Sequence, residues 1–388
     1  MHIGFVVYGG LDGTSGGYRY DRQLVDHLRD TGDDVTVIVL PRRSYPRQLT
    51  DGCSRSLRRR LDRPFDVLLQ DQLCHPSLWR HNPHLRAPGA VVTLVHLLRS
   101  PDPQSRVRPL YRAVERGYLR TVDGAVCTSA FTHNRTRRLA DVPTTVAYPA
   151  GRTEGAALSP ATVEERAGRN PFRILFVGNL HPRKGADTLL SALARLDGNW
   201  QATVVGAAGE PAYARSLRQQ ARAYGIVPRV TFTGEVSDDR LEAAFRDAHV
   251  LAVPSRYEGF GMVYLEAMEY GVVPVAGSVG GADEFVADGT NGLIVDPDDV
   301  TTLADRLADL QADRERLRRY ARAALSTADA HPGWADSMEH VRRFLVRTLE
   351  RSASCRSDTG TTGADTRLGR KPTTAAERSG TDVGGGDT

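Results

Sequence analysis

The sequence predicts an α/β protein built from two doubly wound domains that face each other across a central cleft. Short apolar runs, typical of buried parallel strands, alternate with helical patterns over residues 1–150 and again over residues 171–330. Turns rich in glycine follow several of these runs. In such a fold the ligand lies outside the carboxyl ends of the strands. We therefore expect the loops after the strands of both domains to line one cleft.

The composition agrees with a water-soluble globular chain of two domains. The 388 residues are 40% hydrophobic and 25% charged, and no apolar run approaches the roughly 18 residues that cross a bilayer. The four cysteines have neither metal-ligand nor redox spacing: Cys53, Cys74, Cys127 and Cys355. No signal-peptide pattern precedes the first strand. We expect reduced thiols and a cytoplasmic location.

The first domain opens with a strand, a glycine-rich loop and a helix. The strand candidate runs from His2 to Tyr8, the loop covers residues 9–17, and apolar residues at helical spacing follow. Gly16 and Gly17 allow close approach of the backbone to a phosphate or a sugar. The alternative is a flexible turn without a ligand.

The rest of this domain supplies five further strand candidates, at residues 35–40, 65–69, 90–96, 124–128 and 144–148. His96 is the last residue of one of them, which is where ligands lie in open α/β sheets. A lone histidine is also common as a structural residue, so both interpretations stay open.

The segment from Arg42 to Arg63 is strongly basic. It carries eight arginines against two acids, Asp51 and Asp62. A solvated helix and loop is the simplest interpretation. The alternative is a peripheral contact with anionic lipid headgroups, which attract each basic residue by about 1 kcal/mol. Aromatic residues do not alternate with the arginines as base stacking requires, so a nucleic-acid partner is not expected.

Residues 151–170 are small, polar and proline-containing, which predicts a linker. A strand then runs from Phe172 to Gly178, and Arg183 and Lys184 stand at the entrance of the next helix. Two cations oppose the positive N-terminal end of a helix dipole, and an anionic ligand resolves that conflict. We expect a phosphate there; simple solvated charges are the alternative.

The most informative stretch covers residues 254–268. It follows an apolar run, passes through a glycine loop and becomes a helix, with Glu258 in the loop and Glu266 about one turn into the helix. Backbone N–H groups near Met262 and Val263 are suited to an anion. The two carboxylates are suited to sugar hydroxyls on either side of that anion. The alternative is a strand–turn–helix unit with two solvated glutamates.

The remaining segments complete the second domain and the C-terminus. Strand candidates lie at residues 202–205, 230–232, 250–253, 272–276 and 292–295, and helix candidates at residues 300–310, 313–325 and 334–349. Gly280 and Gly281 are expected to open another helix that includes Glu284. We expect the helix within residues 331–350 to pack back towards the first domain. Residues 351–388 contain only two larger aliphatic side chains, which predicts a disordered tail.

The segment Glu258-Gly-Phe-Gly-Met-Val-Tyr-Leu-Glu266 resembles the motif of two glutamates separated by seven residues in retaining glycosyltransferases of family 4. These enzymes have the GT-B fold of two Rossmann-like domains. Three further blocks resemble the family in the right order, at residues 14–17, 176–185 and 280–293. The resemblance covers about residues 1–350. It implies a nucleotide-sugar donor, bound mainly by the second domain, and sugar transfer to an acceptor hydroxyl with retention of configuration.

The resemblance also implies roles for individual residues. Glu266 would accept hydrogen bonds from the ribose hydroxyls, and Glu258 and His96 would face the donor sugar. Lys184, helped by Arg183, would neutralise the leaving diphosphate. Backbone and loop contacts with the donor are implied for Gly16, Gly17, Gly178, Phe260, Gly261, Met262 and Val263.

The sequence departs from the family at one position. Members often carry arginine directly after the strand glycine as a second diphosphate ligand, whereas this chain has Asn179 there. Arg183 is expected to supply that charge. Asp296 and Asp298 could suggest a metal site, but their position favours a loop and a helix N-cap. We therefore expect neither an essential metal nor another cofactor.

The donor base, the sugar and the acceptor are not fixed by the sequence. The first domain is expected to hold a glycan or lipid-linked acceptor, with peripheral membrane contact through the basic segment as a further hypothesis. Other GT-B enzymes are alternatives, namely a nucleotide-sugar 2-epimerase or a glycan phosphorylase. A non-catalytic protein that binds nucleotide sugars is the alternative from a different class.

Overall fold

The computed structural model describes residues 1–100 and 107–359. Two parallel sheets of six strands each, with helices packed around them, confirm the predicted α/β fold with two doubly wound units. Within the described residues no helix is both long enough and apolar enough to span a membrane.

The first sheet consists of β1 (His2–Tyr8), β2 (Asp34–Leu40), β3 (Val67–Asp71), β4 (Ala90–Val95), β5 (Gly124–Cys127) and β6 (Thr144–Val146). Its order is β2-β1-β3-β4-β5-β6. The helices of this half are α1 (Gly16–Asp30), α2 (Tyr45–Asp51), α3 (Arg55–Leu61), α4 (His75–Leu78), α5 (Arg108–Leu119) and α6 (Ala130–Leu139). The parallel register aligns Phe5 with Val37 on one side and with Leu69 on the other.

The second sheet consists of β7 (Phe172–Val177), β8 (Trp200–Val205), β9 (Val230–Gly234), β10 (Val250–Val253), β11 (Val273–Gly277) and β12 (Leu293–Val295). Its order is β12-β11-β10-β7-β8-β9. The remaining helices are α7 (Pro160–Ala167), α8 (Ala186–Leu193), α9 (Pro211–Ala223), α10 (Asp238–Asp247), α11 (Met262–Glu269), α12 (Val300–Ala312), α13 (Arg314–Asp329) and α14 (Trp334–Thr359).

Helices cover both faces of the first sheet. Leu24 and Leu28 of α1 are buried on one face, and Leu57 and Leu61 of α3 are buried on the other. Burial of each such side chain contributes about 1.5–3 kcal/mol to folding. With both faces covered, the strands are apolar along most of their length, and the carboxyl ends of the strands are the free positions for a ligand.

The last helix, α14, returns to the first sheet. The buried residues of its inner face are Trp334, Met338, Val341, Phe344 and Leu345. Trp334 Nε1 also donates a hydrogen bond to the carbonyl of Gly151 at 3.0 Å. The start of α14 is thereby attached to the segment that connects the two sheets.

Three expectations from the sequence need correction. The predicted linker at residues 151–170 contains helix α7, because Val163 and Ala167, four residues apart, join the second core. The helix predicted after Gly280 and Gly281 is a single 3₁₀ turn, Ala282–Glu284. Residues 351–359 continue α14, since no glycine or proline interrupts this stretch. The rest of the predicted tail, residues 360–388, lies outside the described residues.

Candidate active site

The loops at the carboxyl ends of both sheets enclose a cleft of about 580 Å³. This volume is within the usual range for small-molecule sites. The residues predicted from the sequence all line this cleft: Gly16, Gly17, His96, Gly178, Arg183, Lys184, Glu258, Phe260, Gly261, Met262, Val263 and Glu266. The topology therefore brings residues from both halves of the chain to one place.

The N-terminus of helix α11 lines this cleft. Gly261 caps its N-terminus with φ of +93°, a left-handed conformation that glycine adopts without steric cost. The first N–H groups of a helix, here those of Met262 and Val263, have no acceptor within the helix and point out of its end. Together with the helix dipole they favour an anion at this point.

Glu258 lies beside two cations from the loop after β7. Its carboxylate forms ion pairs with Lys184 Nζ and, at 3.4 Å, with Arg183 Nη1. Burial alone would raise the pKa of Glu258, but the charges of Lys184 and Arg183 lower that pKa to about 2. Burial also lowers the pKa of Lys184, against the opposing effect of Glu258. Glu258 is therefore a carboxylate that keeps two cations close together in the cleft.

The loop with these cations is fixed by a second arginine. Arg183 Nη1 donates to the carbonyl of Tyr257 at 2.7 Å. Arg256 binds the carboxylates of Asp187, at 2.7 Å, and Asp298, at 2.7 Å from Nε. Asp298 is thus bound by a guanidinium that also contacts the loop with Arg183. Within the residues described, no group of three or more His, Cys, Asp or Glu side chains is placed to hold a metal ion.

Glu266 is held by arginines that the sequence analysis did not single out. Arg19 Nη1 of α1 lies 2.9 Å from Oε1, and Arg152 Nε lies 3.3 Å from Oε2. Arg19 follows the glycine loop and Arg152 lies in the connecting segment, so neither position carries a motif. Next to them, Glu269 accepts backbone N–H groups of the connecting segment, including that of Arg152 at 2.7 Å. Glu266, which is predicted to bind the ribose, therefore also forms a contact between the two halves of the molecule.

The glycine loop of the first sheet lies against the start of α11. A Cβ atom at Gly16 would come within 2.8 Å of Met262 Sδ, and one at Gly17 within 3.5 Å of the His96 ring. Met262 itself contacts the cores of both sheets. A side chain at position 16 would therefore have to displace the side chain of Met262.

His96 has two acidic neighbours that the sequence analysis missed. Its Nε2 lies 2.9 Å from Oδ1 of Asp21, a carboxylate that is 1% exposed. Asp71, the last residue of β3, is also buried and lines the cleft. Burial and the charge of Asp21 raise the pKa of Asp71 to about 7. The position of Asp71 at the carboxyl end of a strand was the available signal for this pair.

Two parallel doubly wound sheets around a shared cleft define the class of the fold, which is that of GT-B glycosyltransferases. The structure is similar to sucrose-phosphate synthase from Thermosynechococcus elongatus, with a TM-score of 0.78, 20% identity, and coverage of 90% of this chain and 99% of that one. It is also similar to Anabaena HepE in complex with UDP and glucose, with a TM-score of 0.71, 21% identity, and coverage of 89% and 100%. At these identities the likeness concerns the fold.

Comparisons of the sequence show more specific likenesses than those of the fold. Residues 162–327 match the family model of glycosyl transferases group 1. The chain is 38% identical to a GDP-mannose-dependent alpha-(1-6)-phosphatidylinositol monomannoside mannosyltransferase of Mycobacterium tuberculosis over 183 residues. This alignment covers 44% of this chain and 46% of the relative. Over 179 residues it is 39% identical to a D-inositol 3-phosphate glycosyltransferase of Xylanimonas cellulosilytica, covering 46% and 43%. The chain thus spans less than half of the length of these curated relatives.

Proposed function

We propose that this protein is a retaining glycosyltransferase that moves a hexose from a nucleoside-diphosphate sugar to an acceptor hydroxyl. The observation that carries the proposal is the ion pair of Glu258 with Lys184 and Arg183, next to the free N-terminus of α11. This arrangement is suited to a sugar diphosphate. The match of residues 162–327 to glycosyl transferases group 1 supports it.

The difficult step is cleavage of the anomeric C–O bond, because negative charge develops on the leaving diphosphate. In this proposal Lys184, Arg183 and the N–H groups at the start of α11 stabilise that charge. Fixed cations and dipoles in a cleft shielded from water are effective because they need no reorganisation during the reaction. The acceptor attacks from the face that the leaving group departs from, and a phosphate oxygen accepts its proton. Glu258 acts by electrostatics and hydrogen bonding, without a covalent intermediate.

The donor is the first part of the proposal to test. A thermal-shift screen of nucleoside diphosphates and nucleotide sugars should show stabilisation by one base, by about 2.7 kcal/mol at a hundredfold excess over Kd. The relatives suggest GDP-mannose as the first donor to examine and UDP-glucose as the second. Glu266→Gln should abolish the shift, whereas Glu235→Gln, at an exposed carboxylate of the same cleft, should retain it. Absence of a shift with every nucleotide would contradict the proposal.

Product analysis distinguishes the remaining alternatives. A 2-epimerase would convert the donor without an acceptor, and a phosphorylase would need free phosphate. A non-catalytic binding protein would show the thermal shift without slow hydrolysis of the donor. We expect slow donor hydrolysis without acceptor and faster release of the nucleoside diphosphate when a glycan or lipid-linked acceptor is added.

The basic segment suggests that the acceptor is presented at the cytoplasmic face of an anionic membrane. Among the eight arginines from Arg42 to Arg63, the one ion pair with a carboxylate in the described part of the chain is that of Arg43 with Asp51. Arg55 and Arg58 line an open surface pocket of about 650 Å³. Arg58 and Arg60 each donate a hydrogen bond to a backbone carbonyl, which leaves their positive charge without a carboxylate partner among the described residues.

Liposome co-sedimentation tests this surface. The triple variant Arg58→Ala, Arg59→Ala, Arg60→Ala should lose binding to vesicles that contain phosphatidylglycerol. A control with the same change of charge on α13, Arg316→Ala, Arg318→Ala, Arg322→Ala, should keep it, since each of these arginines lies in an ion pair. Unchanged binding of the first variant would refute the membrane contact.

A further inference from the structure

We infer that Asp21 is a positioning residue: its buried carboxylate fixes the His96 ring in one orientation and favours the imidazolium, so that Nδ1–H is presented to the donor in the cleft. The inference rests on the proposed function, in which His96 faces the donor sugar. The sequence resemblance implied a role for His96 but identified no partner for it on α1. The structure shows that this partner is Asp21.

The geometry of the pair is well defined. Asp21 lies on the second turn of α1, and its carboxylate is 1% exposed, with Oδ1 at 2.9 Å from His96 Nε2. The ring is held on its other sides as well. Tyr20 contacts it edge-on with 5.4 Å between centroids, and a Cβ atom at Gly17 would lie 3.5 Å from the ring. The imidazole therefore has one orientation that satisfies the buried carboxylate.

This orientation decides which ring nitrogen serves the cleft. Because Nε2 lies on a carboxylate, it carries a hydrogen and donates it to Asp21. Nδ1 is the remaining polar atom of a ring that lines the cleft. In the neutral imidazole Nδ1 would be an acceptor, whereas in the imidazolium it is a donor. The charge of His96 therefore determines whether it can donate to a hydroxyl or phosphate oxygen of the donor.

The groups that face His96 favour the cation. Asp21 from α1 and Asp71 from the end of β3 are the acidic groups that act on the ring from the first half. From the second half, the backbone of Gly259 lies against the His96 carbonyl, and the neighbouring Glu258 is already paired with Lys184 and Arg183. Burial by itself would lower the pKa of His96, but Asp21 and then Asp71 raise it above the ordinary 6.5.

Histidine NMR on the free protein tests the inference without any donor. We would titrate ¹³C/¹⁵N-histidine-labelled wild type, Asp21→Asn and the control Asp26→Asn, an exposed aspartate on the same helix, and assign His96 with His96→Gln. The expected pKa of His96 is above 6.5 in wild type and in Asp26→Asn, and lower by about one unit or more in Asp21→Asn. Wild-type His96 that titrates below 6.5 would overturn the inference, even if Asp21→Asn does not fold. An unchanged pKa in a folded Asp21→Asn variant would overturn it as well.

Kinetics then separate positioning from a merely structural role. Asp21→Asn should lower kcat with little change in the KM for the donor, and the alkaline limb of its pH–rate profile should move to lower pH. An equal reduction of kcat at every pH in Asp21→Asn would contradict the inference. Because the NMR result does not depend on turnover, absence of sugar transfer in all variants would count against the proposed function and leave the Asp21–His96 assignment standing.

Discussion

Arg19 and Glu266 form an ion pair between the two halves of the molecule, with 2.9 Å between Nη1 and Oε1. Glu266 is also the residue that we propose to bind the ribose of the donor. The same carboxylate oxygen therefore has two uses, as a contact with α1 in the free protein and as an acceptor for a ribose hydroxyl in the complex. Binding of the donor should weaken the contact with Arg19.

A double-mutant cycle measures this competition. We expect Arg19→Gln and Glu266→Gln to show a coupling of roughly 1 kcal/mol in the unfolding free energy of the free protein, as for a partly exposed ion pair. With Glu266 intact, the loss of unfolding free energy caused by Arg19→Gln should become smaller when the nucleoside diphosphate is saturating. Arg22→Gln is the matched control, since Arg22 lies on the same helix and binds the carbonyls of Leu11 and Gly13. An equal effect of Arg19→Gln with and without nucleotide would show that ribose does not displace Arg19.

The ion pair of Glu258 with Lys184 predicts a pH-dependent stability. The pKa of Glu258 is lowered from 4.5 to about 2 in the folded protein. A carboxyl group with a lowered pKa stabilises the folded state above its unfolded pKa, and this stabilisation is lost as the pH falls through the folded pKa. Between about pH 5 and pH 2, wild type should therefore lose up to roughly 3 kcal/mol of unfolding free energy relative to Glu258→Gln, at about 1.4 kcal/mol per pKa unit.

Urea denaturation at a series of pH values gives the measurement. The difference between wild type and Glu258→Gln should be constant above pH 5 and decline below it. Glu235→Gln changes an exposed glutamate of the same cleft and should show no such decline. A constant difference down to pH 2 would mean that Glu258 has no depressed pKa in solution.

We predict that sugar transfer needs no divalent metal. Lys184, Arg183 and the N-terminus of α11 provide positive charge where the diphosphate would lie, which is the role that a metal has in other transferases. The rate of donor hydrolysis and of transfer should be unchanged in excess EDTA. A loss of activity that Mg²⁺ or Mn²⁺ restores would contradict the prediction.

Lys184→Gln should lower kcat by about 10²–10³-fold, as for removal of one group that stabilises developing charge.

The strands and the loops after them could be predicted because they follow from local pattern and parallel topology. The apolar runs ending near His96, Gly178 and Val253 place their loops at the carboxyl edges of the sheets whatever the details of packing. Asp21 and Arg19 could not be identified in the same way, because their partners lie 75 and 247 residues away. Such contacts depend on how a helix is rotated and how the two sheets face each other, and a sequence pattern does not fix either.

Glu284 connects the second half of the molecule to the first. Its carboxylate accepts the N–H groups of Ala130 and Phe131, both at 2.7 Å, at the N-terminus of α6 in the other half. Ser129 Oγ adds a hydrogen bond to the carbonyl of Gly259 at 2.8 Å. A carboxylate at a helix N-terminus is favoured by both hydrogen bonding and the helix dipole.

Removal of the Glu284 carboxylate should lower the stability of the protein and allow its two halves to move apart. We expect Glu284→Ala to lower the unfolding free energy by about 1–3 kcal/mol, since two partly buried N–H groups lose a charged acceptor. We also expect a larger radius of gyration in small-angle X-ray scattering. Asp283→Ala, at the exposed neighbour, is the control that should change neither quantity. If Glu284→Ala left the radius of gyration unchanged, the approach of the glycine loop to Met262 and the Arg19–Glu266 pair would suffice to hold the cleft closed.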